Sequence, residues 1–385
     1  MSLYHHPTNL LKALAEWEQN GLLRKLPEAV PEIDFYSNDY LGFSRLGLLY
    51  RKLQEGIIHD QSNKPDALVN DGANSSRMVS GNSHVIEEAE KQIAMFHHAQ
   101  AALIFNSGYD ANLGLLSAVP QKTDLIICDE FANASIQDGI RLSQATHYRF
   151  KHNDLEDLET LIHRHQKNFD NVFVVVESVY ALDGDTAPLL ELADICQDTK
   201  NIFLIVDEAH AIGVFGKQGR GLCNALSIEK NCFARVYTFG KAMGSHGAAI
   251  VGSEMLRNYL INFSRSFIYT SALPQSSIEA IKHAYQLLIE TNQKDLLHQN
   301  IAYFYTKGAA LKNCIKSQSA IHTMMIGSNE QLDKIGQELV KHKVHARMIK
   351  SPHVKSGTER IRFCIHAYNT KAEIDLLVNV LSNFR

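Results

Sequence analysis

The chain of 385 residues carries 38 Lys plus Arg against 42 Asp plus Glu, a formal charge of −4. That balance offers neither a basic face for nucleic acid nor an acidic tail, so small-molecule chemistry in a soluble globular protein is the expectation. At about 150 residues per domain the length suggests two or three domains. The six cysteines stand far apart with no CxxC pair, which predicts buried, reduced thiols and no structural metal. Met1 to Thr8 carries histidines and a proline where a signal peptide needs an apolar run, and later apolar runs are shorter than a membrane span. A cytoplasmic protein without membrane contact is expected.

In chain order, Leu10 to Leu26 has helical apolar spacing, and Phe35 to Phe43 reads as a short strand leading into a turn at Gly42. Residues 1–45 are therefore expected to form an N-terminal arm. Between about residues 100 and 250, short β-branched runs recur, each followed by a polar or Gly-rich turn and a helix-like stretch. The clearest runs are Ala101 to Phe105, Leu125 to Cys128, Val172 to Val176, Ile202 to Val206 and Val236 to Phe239. This alternation predicts an α/β fold with a mostly parallel sheet between helices, over a large domain of residues 46–285. After Pro274 a helical pattern (Ile278, Ile281, Tyr285, Leu288) leads to strands near Ala320 to Ile326 and Arg360 to Ile365. A smaller α+β C-terminal domain, 286–385, is expected.

Ligands of such sheets gather at the carboxyl ends of the strands. There, Lys241 stands in Thr238-Phe239-Gly240-Lys241-Ala242-Met243-Gly244, wedged among small residues that admit a flat ligand. Alone, a lysine beside glycine is an ordinary turn residue. Three partners change the balance. Asp207, at the end of Val206-Asp207-Glu208-Ala209-His210, stands where a carboxylate would keep a pyridine nitrogen protonated and make the ring an electron sink. His210 would hydrogen-bond the phenolic oxygen of such a cofactor; a helix N-cap and a core histidine are the plain alternatives. Asn106-Ser107-Gly108-Tyr109-Asp110 precedes an apolar helix whose first amides suit a phosphate. Hydroxyls of Phe267-Ile268-Tyr269-Thr270-Ser271-Ala272, with Thr238, would add phosphate ligands, and loop polarity alone also explains them. Asp207 to His210 spells the DEAH box of helicase-type NTPases. Those need an upstream GxxxxGK[ST] loop, and here Arg235 stands where the first Gly belongs and Ala242 follows Lys241. Gly216, Gly219 and Gly221 do not fit GxGxxG and read as a turn.

Across nearly its whole length the sequence resembles the α-oxoamine synthases, fold-type I pyridoxal-phosphate enzymes that condense an amino acid with an acyl thioester and lose carbon dioxide. The resemblance runs through Ser37-Asn38-Asp39-Tyr40-Leu41-Gly42, Val79-Ser80-Gly81, Ser107-Gly108-Tyr109, His152-Asn153-Asp154, Asp183 to Leu189, Asp207 to His210, Gly219-Arg220-Gly221 and Thr238 to Lys241. It implies pyridoxal 5'-phosphate held by Lys241 as a Schiff base, with Lys241 also removing the α-proton, Asp207 on the pyridinium nitrogen and His210 on the phenolic oxygen. It implies Gly108, Tyr109 and Thr238 on the phosphate, and Thr270 and Ser271 on the phosphate of a neighbouring subunit, hence a homodimer with shared active sites. Arg362 falls where the family holds the substrate carboxylate, with Asn38 as helper; Arg360 lies on the same strand face and stays open as an alternative. Within the family the chain is most similar to members that join L-alanine to a pimeloyl thioester. Glycine- and serine-using members differ by one small group, worth only about 1–3 kcal/mol of discrimination.

Four positions depart from the family pattern. Asn133 stands where a histidine stacks on the cofactor ring, and Ala181 where a serine reaches the phenolic oxygen. Lys350-Ser351-Pro352-His353 replaces Arg-Pro-Pro-Thr near the substrate channel, so Lys350 keeps the charge without the bidentate fork. Gly72 to Arg77 is a less glycine-rich version of a family loop. The first two motivate a competing reading as a non-catalytic cofactor-binding protein, and an aminotransferase on the same scaffold is a third. Release of free thiol separates the synthase from both.

Overall fold

The computed structural model describes residues 5–24, 26, 32–63, 72–309 and 311–384. The chain divides into two compact units, residues 1–32 and 33–385. The first holds a helix, Thr8–Gln19, that exposes Leu10, Leu11, Leu14 and Trp17. It ends short of the expected Leu26 because Gly21 turns the chain with φ +64° and donates its amide back to Glu18.

Thirteen strands are described: β1 (Ile33–Asp34), β2 (Ala101–Phe105), β3 (Leu125–Asp129), β4 (Thr146–Phe150), β5 (Val172–Glu177), β6 (Ile202–Asp207), β7 (Cys232–Thr238), β8 (Ala248–Gly252), β9 (Cys314–Ile315), β10 (Ile321–Met325), β11 (Val344–His345), β12 (Arg347–Ile349) and β13 (Arg360–Cys364). Seven form one sheet in the order β2-β8-β7-β6-β5-β3-β4, with β8 alone antiparallel to its neighbours. The expected mostly parallel α/β sheet is therefore present. Successive residues point to opposite faces of a strand. Leu125, Ile127, Val174 and Val206 enter one core cluster, while Ile126, Cys128, Val175 and Ile205 enter another across the sheet. Burial on both faces is why these strands read as unbroken apolar runs.

Two strands of this sheet escaped the sequence reading. β4 is an edge strand whose first four residues, Thr146 to Arg149, are exposed, so it lacks the apolar run of its neighbours. β8 is built of Ala248-Ala249-Ile250-Val251-Gly252, with only two β-branched residues among small ones, so it does not stand out.

The C-terminal strands form an antiparallel sheet, β12-β13-β10-β9, with the helices Asn329–Lys341 and Lys371–Ser382 alongside in the sequence. The expected strand over Phe35 to Phe43 is a correction: only β1 is extended, pairing in parallel with β11. Beyond it the Asp34 carboxylate accepts the amides of Tyr36 and Ser37, and that of Asp39 accepts those of Ser44 and Arg45, which curls the segment into turns. Phe35, Tyr40, Leu41 and Phe43 remain fully buried in the core. Cys128, Cys196, Cys223 and Cys364 are buried, Cys232 and Cys314 partly so, and all six are free thiols. Among the described residues no helix is long and apolar enough to cross a membrane.

Candidate active site

The parallel strands deliver polar side chains to one edge: Asp129 from β3, Glu177 from β5, Asp207 from β6 and Thr238 from β7. Glu177 and Asp207 are register partners, side by side. The Asp207 carboxylate is buried and oriented by two donors, the Asn112 amide at 2.7 Å and the Ala209 backbone N–H at 2.8 Å. Asn112 sits one turn into the helix Gly108–Ala118, a polar residue on a mostly apolar buried face, a mismatch that could have singled it out in the sequence.

Past β7 a tight turn, closed by the Ser245 amide on the Phe239 carbonyl, carries Lys241. Gly244 holds φ +59° there, and a Cβ would come within 2.7 Å of the Ser44 backbone nitrogen. The Lys241 amine lies 2.9 Å from His210 Nε2. Burial pushes the Lys241 pKa down, against the pull of the Asp207 and Glu177 carboxylates and with help from Arg362. Burial, then the charges of Lys241 and Arg362, holds His210 well below the ordinary histidine range. On its far side His210 Nδ1 lies 2.7 Å from the hydroxyl of the buried Tyr40. Burial pushes the Glu177 carboxyl up to about 8, and its Oε1 accepts the Asn133 backbone N–H at 2.7 Å.

At the other end of this edge, Ser107 caps the helix Gly108–Ala118 by accepting the Asp110 amide. A Cβ on Gly108 would meet Thr238 Oγ1 at 2.3 Å, so only glycine lets that hydroxyl approach the helix start. Tyr109 is half exposed, its hydroxyl on the Asp138 carboxylate. Asn106 ties down the other hydroxyl loop, donating to Thr270 Oγ1 and the Ser271 carbonyl, both at 3.0 Å. Asn133 is exposed and caps the helix Ala134–Leu142, its side-chain oxygen accepting from the Ser135 amide.

The two arginines of β13 part company. Arg360 binds the Asp183 carboxylate through Nη1 at 2.7 and 2.5 Å. Arg362 donates Nη2 to Asn38 Oδ1 at 3.1 Å, and its buried Nε has no partner among the described residues. Lys350 is paired with Asp333 at 2.5 Å, which occupies its charge. Sequence reasoning missed the direct partners Tyr40 and Asn112, the carboxyl of Glu177, and an ion cluster in which His152 bridges Asp129 (2.9 Å) and Asp185 (2.7 Å). Tyr40, His152 and Asp185 lay inside quoted motifs, but only the fold shows what they touch.

These residues fit pyridoxal phosphate. A lysine amine with a lowered pKa suits imine formation, the braced Asp207 suits a pyridinium N–H, and a helix start abutting the Thr238 hydroxyl suits a phosphate. The orphaned guanidinium nitrogen of Arg362 suits a carboxylate.

The aminotransferase class I and II family matches residues 30–381. An 8-amino-7-oxononanoate synthase of Emericella nidulans is 37% identical, over 98% of this chain and 95% of its own. One of Haemophilus ducreyi is 32% identical, over 96% and 98%. Among solved structures, a serine palmitoyltransferase from S. paucimobilis with a bound PLP-myriocin aldimine superposes with a TM-score of 0.86 at 25% identity, covering 98% of this chain and 96% of that one. An 8-amino-7-oxononanoate synthase from Francisella tularensis superposes at 0.76 with 31% identity, covering 91% and 97%. With the family match spanning nearly all of residues 33–385 and these relatives aligned end to end, the chain belongs to the aminotransferase class I and II family, and within it to the α-oxoamine synthases.

Proposed function

We propose that this enzyme binds pyridoxal 5'-phosphate and condenses L-alanine with a pimeloyl thioester, giving 8-amino-7-oxononanoate, carbon dioxide and free thiol, a step of biotin biosynthesis. The observation that carries the chemistry is the convergence of Lys241, His210 and Asp207 at one sheet edge, joined through Tyr40 and Asn38 to Arg362, whose buried Nε has no partner among the described residues. The identities to 8-amino-7-oxononanoate synthases support the choice of substrates. When bound, the cofactor supplies an electron sink for negative charge at the amino acid's α-carbon. Asp207, fixed by Asn112 and Ala209, holds the proton on the ring nitrogen. Lys241 takes the α-proton, a task suited to an amine whose burial lowers its pKa. Arg362 holds the substrate carboxylate, its guanidinium fixed by the bond from Nη2 to Asn38 Oδ1. Gly108, Tyr109 and Thr238 hold the phosphate, and Thr270 with Ser271 reaches the phosphate of the partner in a homodimer. Asn133 covers the ring face, and Lys350 lies towards the acyl channel.

Release of free thiol from pimeloyl-CoA with L-alanine tests the proposal. Turnover that instead requires serine or glycine with another acyl donor moves the chain to a different branch of the family. The 0.86 superposition on serine palmitoyltransferase keeps that second reading in view. No thiol with any pair of substrates defeats the synthase reading.

A further inference from the structure

Cys196 and Cys223 are buried in one apolar cluster on a face of the main sheet, and Cys232 packs against that cluster. Cys223 stands in the four-residue helix Leu222–Ala225, while Cys232 begins β7 with Leu204 of β6 as its register partner. The two sulfurs lie 3.8 Å apart, and the Cys232 thiol also meets the Ile228 carbonyl at 3.4 Å. The proposed reaction uses neither thiol. Cys223 has no solvent exposure and Cys232 is partly exposed, so a small oxidant arriving from solvent meets Cys232 first. On its other side Cys223 faces the carboxylate of the fully buried Glu208. Glu208 is in turn seated by this turn: its Oε1 accepts the Cys223 backbone N–H at 2.6 Å and its Oε2 that of Leu222 at 2.8 Å.

We infer that Cys223 and Cys232 are an oxidisable dithiol, which a peroxide converts into an intramolecular disulfide that loosens the seat of Glu208 beside Asp207. The Cys232 sulfur attacks one oxygen of hydrogen peroxide and the O–O bond breaks. The thiol proton leaves with the departing oxygen as water, and Cys232 becomes a sulfenic acid. The Cys223 sulfur then attacks the Cys232 sulfur and passes its proton to Glu208. The expelled hydroxide takes a proton back from Glu208 and leaves as the second water. Two thiols have lost two electrons, and one peroxide has become two waters. An S–S bond is about 2.05 Å long, so one sulfur must move to close the gap. Cys232 is held in the β6–β7 ladder, whereas Cys223 rides on a single short turn, so the turn gives way. That movement weakens the bonds from Cys223 and Leu222 to Glu208, the residue next to Asp207. Its effect on cofactor binding rests on the function proposed above; the disulfide itself does not.

The test treats the full-length enzyme with a small excess of hydrogen peroxide, removes the peroxide, alkylates the remaining thiols and maps tryptic peptides without reduction. Cleavage after Arg220, Lys230 and Arg235 puts Cys223 and Cys232 on separate peptides, 221–230 and 231–235. These two are expected to appear joined by a reducible link, with two of the six thiols lost to alkylation. Cys232→Ser is expected to give no link, and Cys196→Ser to keep it. In the oxidised protein the Kd for pyridoxal phosphate is expected to rise about two- to tenfold, the range of one lost hydrogen bond, and to recover on reduction with a phosphine. Six intact thiols after peroxide, oxidation that stops at a sulfinic acid, or a link to a different cysteine overturns the dithiol. An unchanged Kd in the linked protein overturns its coupling to Glu208. If a variant does not fold, the wild-type peptide map alone decides. Failure of the reduced enzyme to bind pyridoxal phosphate would defeat the proposed function and leave the dithiol to be judged by the peptide map.

Discussion

His210 and His152 stand at the same sheet edge and have opposite electrostatic fates. His210 is buried against two cations and is held neutral. His152 lies between the carboxylates of Asp129 and Asp185, and although burial opposes the charge, the two acids raise its pKa to about 9. Beside it Arg360 grips Asp183, from the same turn as Asp185. One region leaves Lys241 and His210 bonded to each other and to no carboxylate among the described residues, so neither is locked in its charged form. The other spends its charges on fixing the turn from Tyr180 to Asp185 and the loop at Phe131, whose ring stacks on His152 at 4.4 Å. The lesson is that neighbours, not residue type, decide which histidine can act.

If the division is real, substitutions in the first region should cost activity and those in the second should cost stability. The largest effect belongs to Lys241→Ala, which should lower thiol release by at least about 100-fold, measured at saturating substrates, without lowering Tm by more than a degree or two. Arg360→Ala strands the buried Asp183 carboxyl and should destabilise by about 3–5 kcal/mol in urea titrations, while the folded fraction keeps its kcat. His152→Gln probes the same region through pH. Because the folded pKa of His152 lies above its ordinary 6.5, its stabilisation is complete below about pH 6.5 and is lost as pH rises through about 9. That is on the order of 3 kcal/mol, and the variant should flatten this alkaline slope. His210 has the opposite sign: with a depressed folded pKa it favours unfolding as pH falls below the ordinary range, a trend it shares with His97, His322 and His366.

Arg362→Ala returns to the first region and should raise KM for the amino acid about 10- to 100-fold, with a smaller loss of Tm than Arg360→Ala. If the two arginines exchange these phenotypes, the division fails. Smallest is Ala181→Ser, which restores a hydroxyl the family carries and should change kcat/KM by less than about tenfold, the range of one neutral hydrogen bond.

Much of the main sheet was legible because its strands are buried on both faces and so spell unbroken β-branched runs. Lys241, Asp207 and His210 were legible because each follows such a run directly, where a strand end must present its side chains. β4 and the turns after Asp34 were not legible, since an exposed edge strand carries no apolar run and an aspartate that caps backbone amides looks like any other. Arg360 and Arg362, two residues apart on β13, are equivalent in sequence; they diverge because the chain brings Asp183 to one and Asn38 to the other across more than a hundred residues. The Tyr40 to His210 contact likewise joins positions 170 residues apart. Local sequence fixes which groups are presented and on which face. Which of them is neutralised, oriented or left unpartnered depends on desolvation and on donors from remote segments, and those exist only once the tertiary packing is complete.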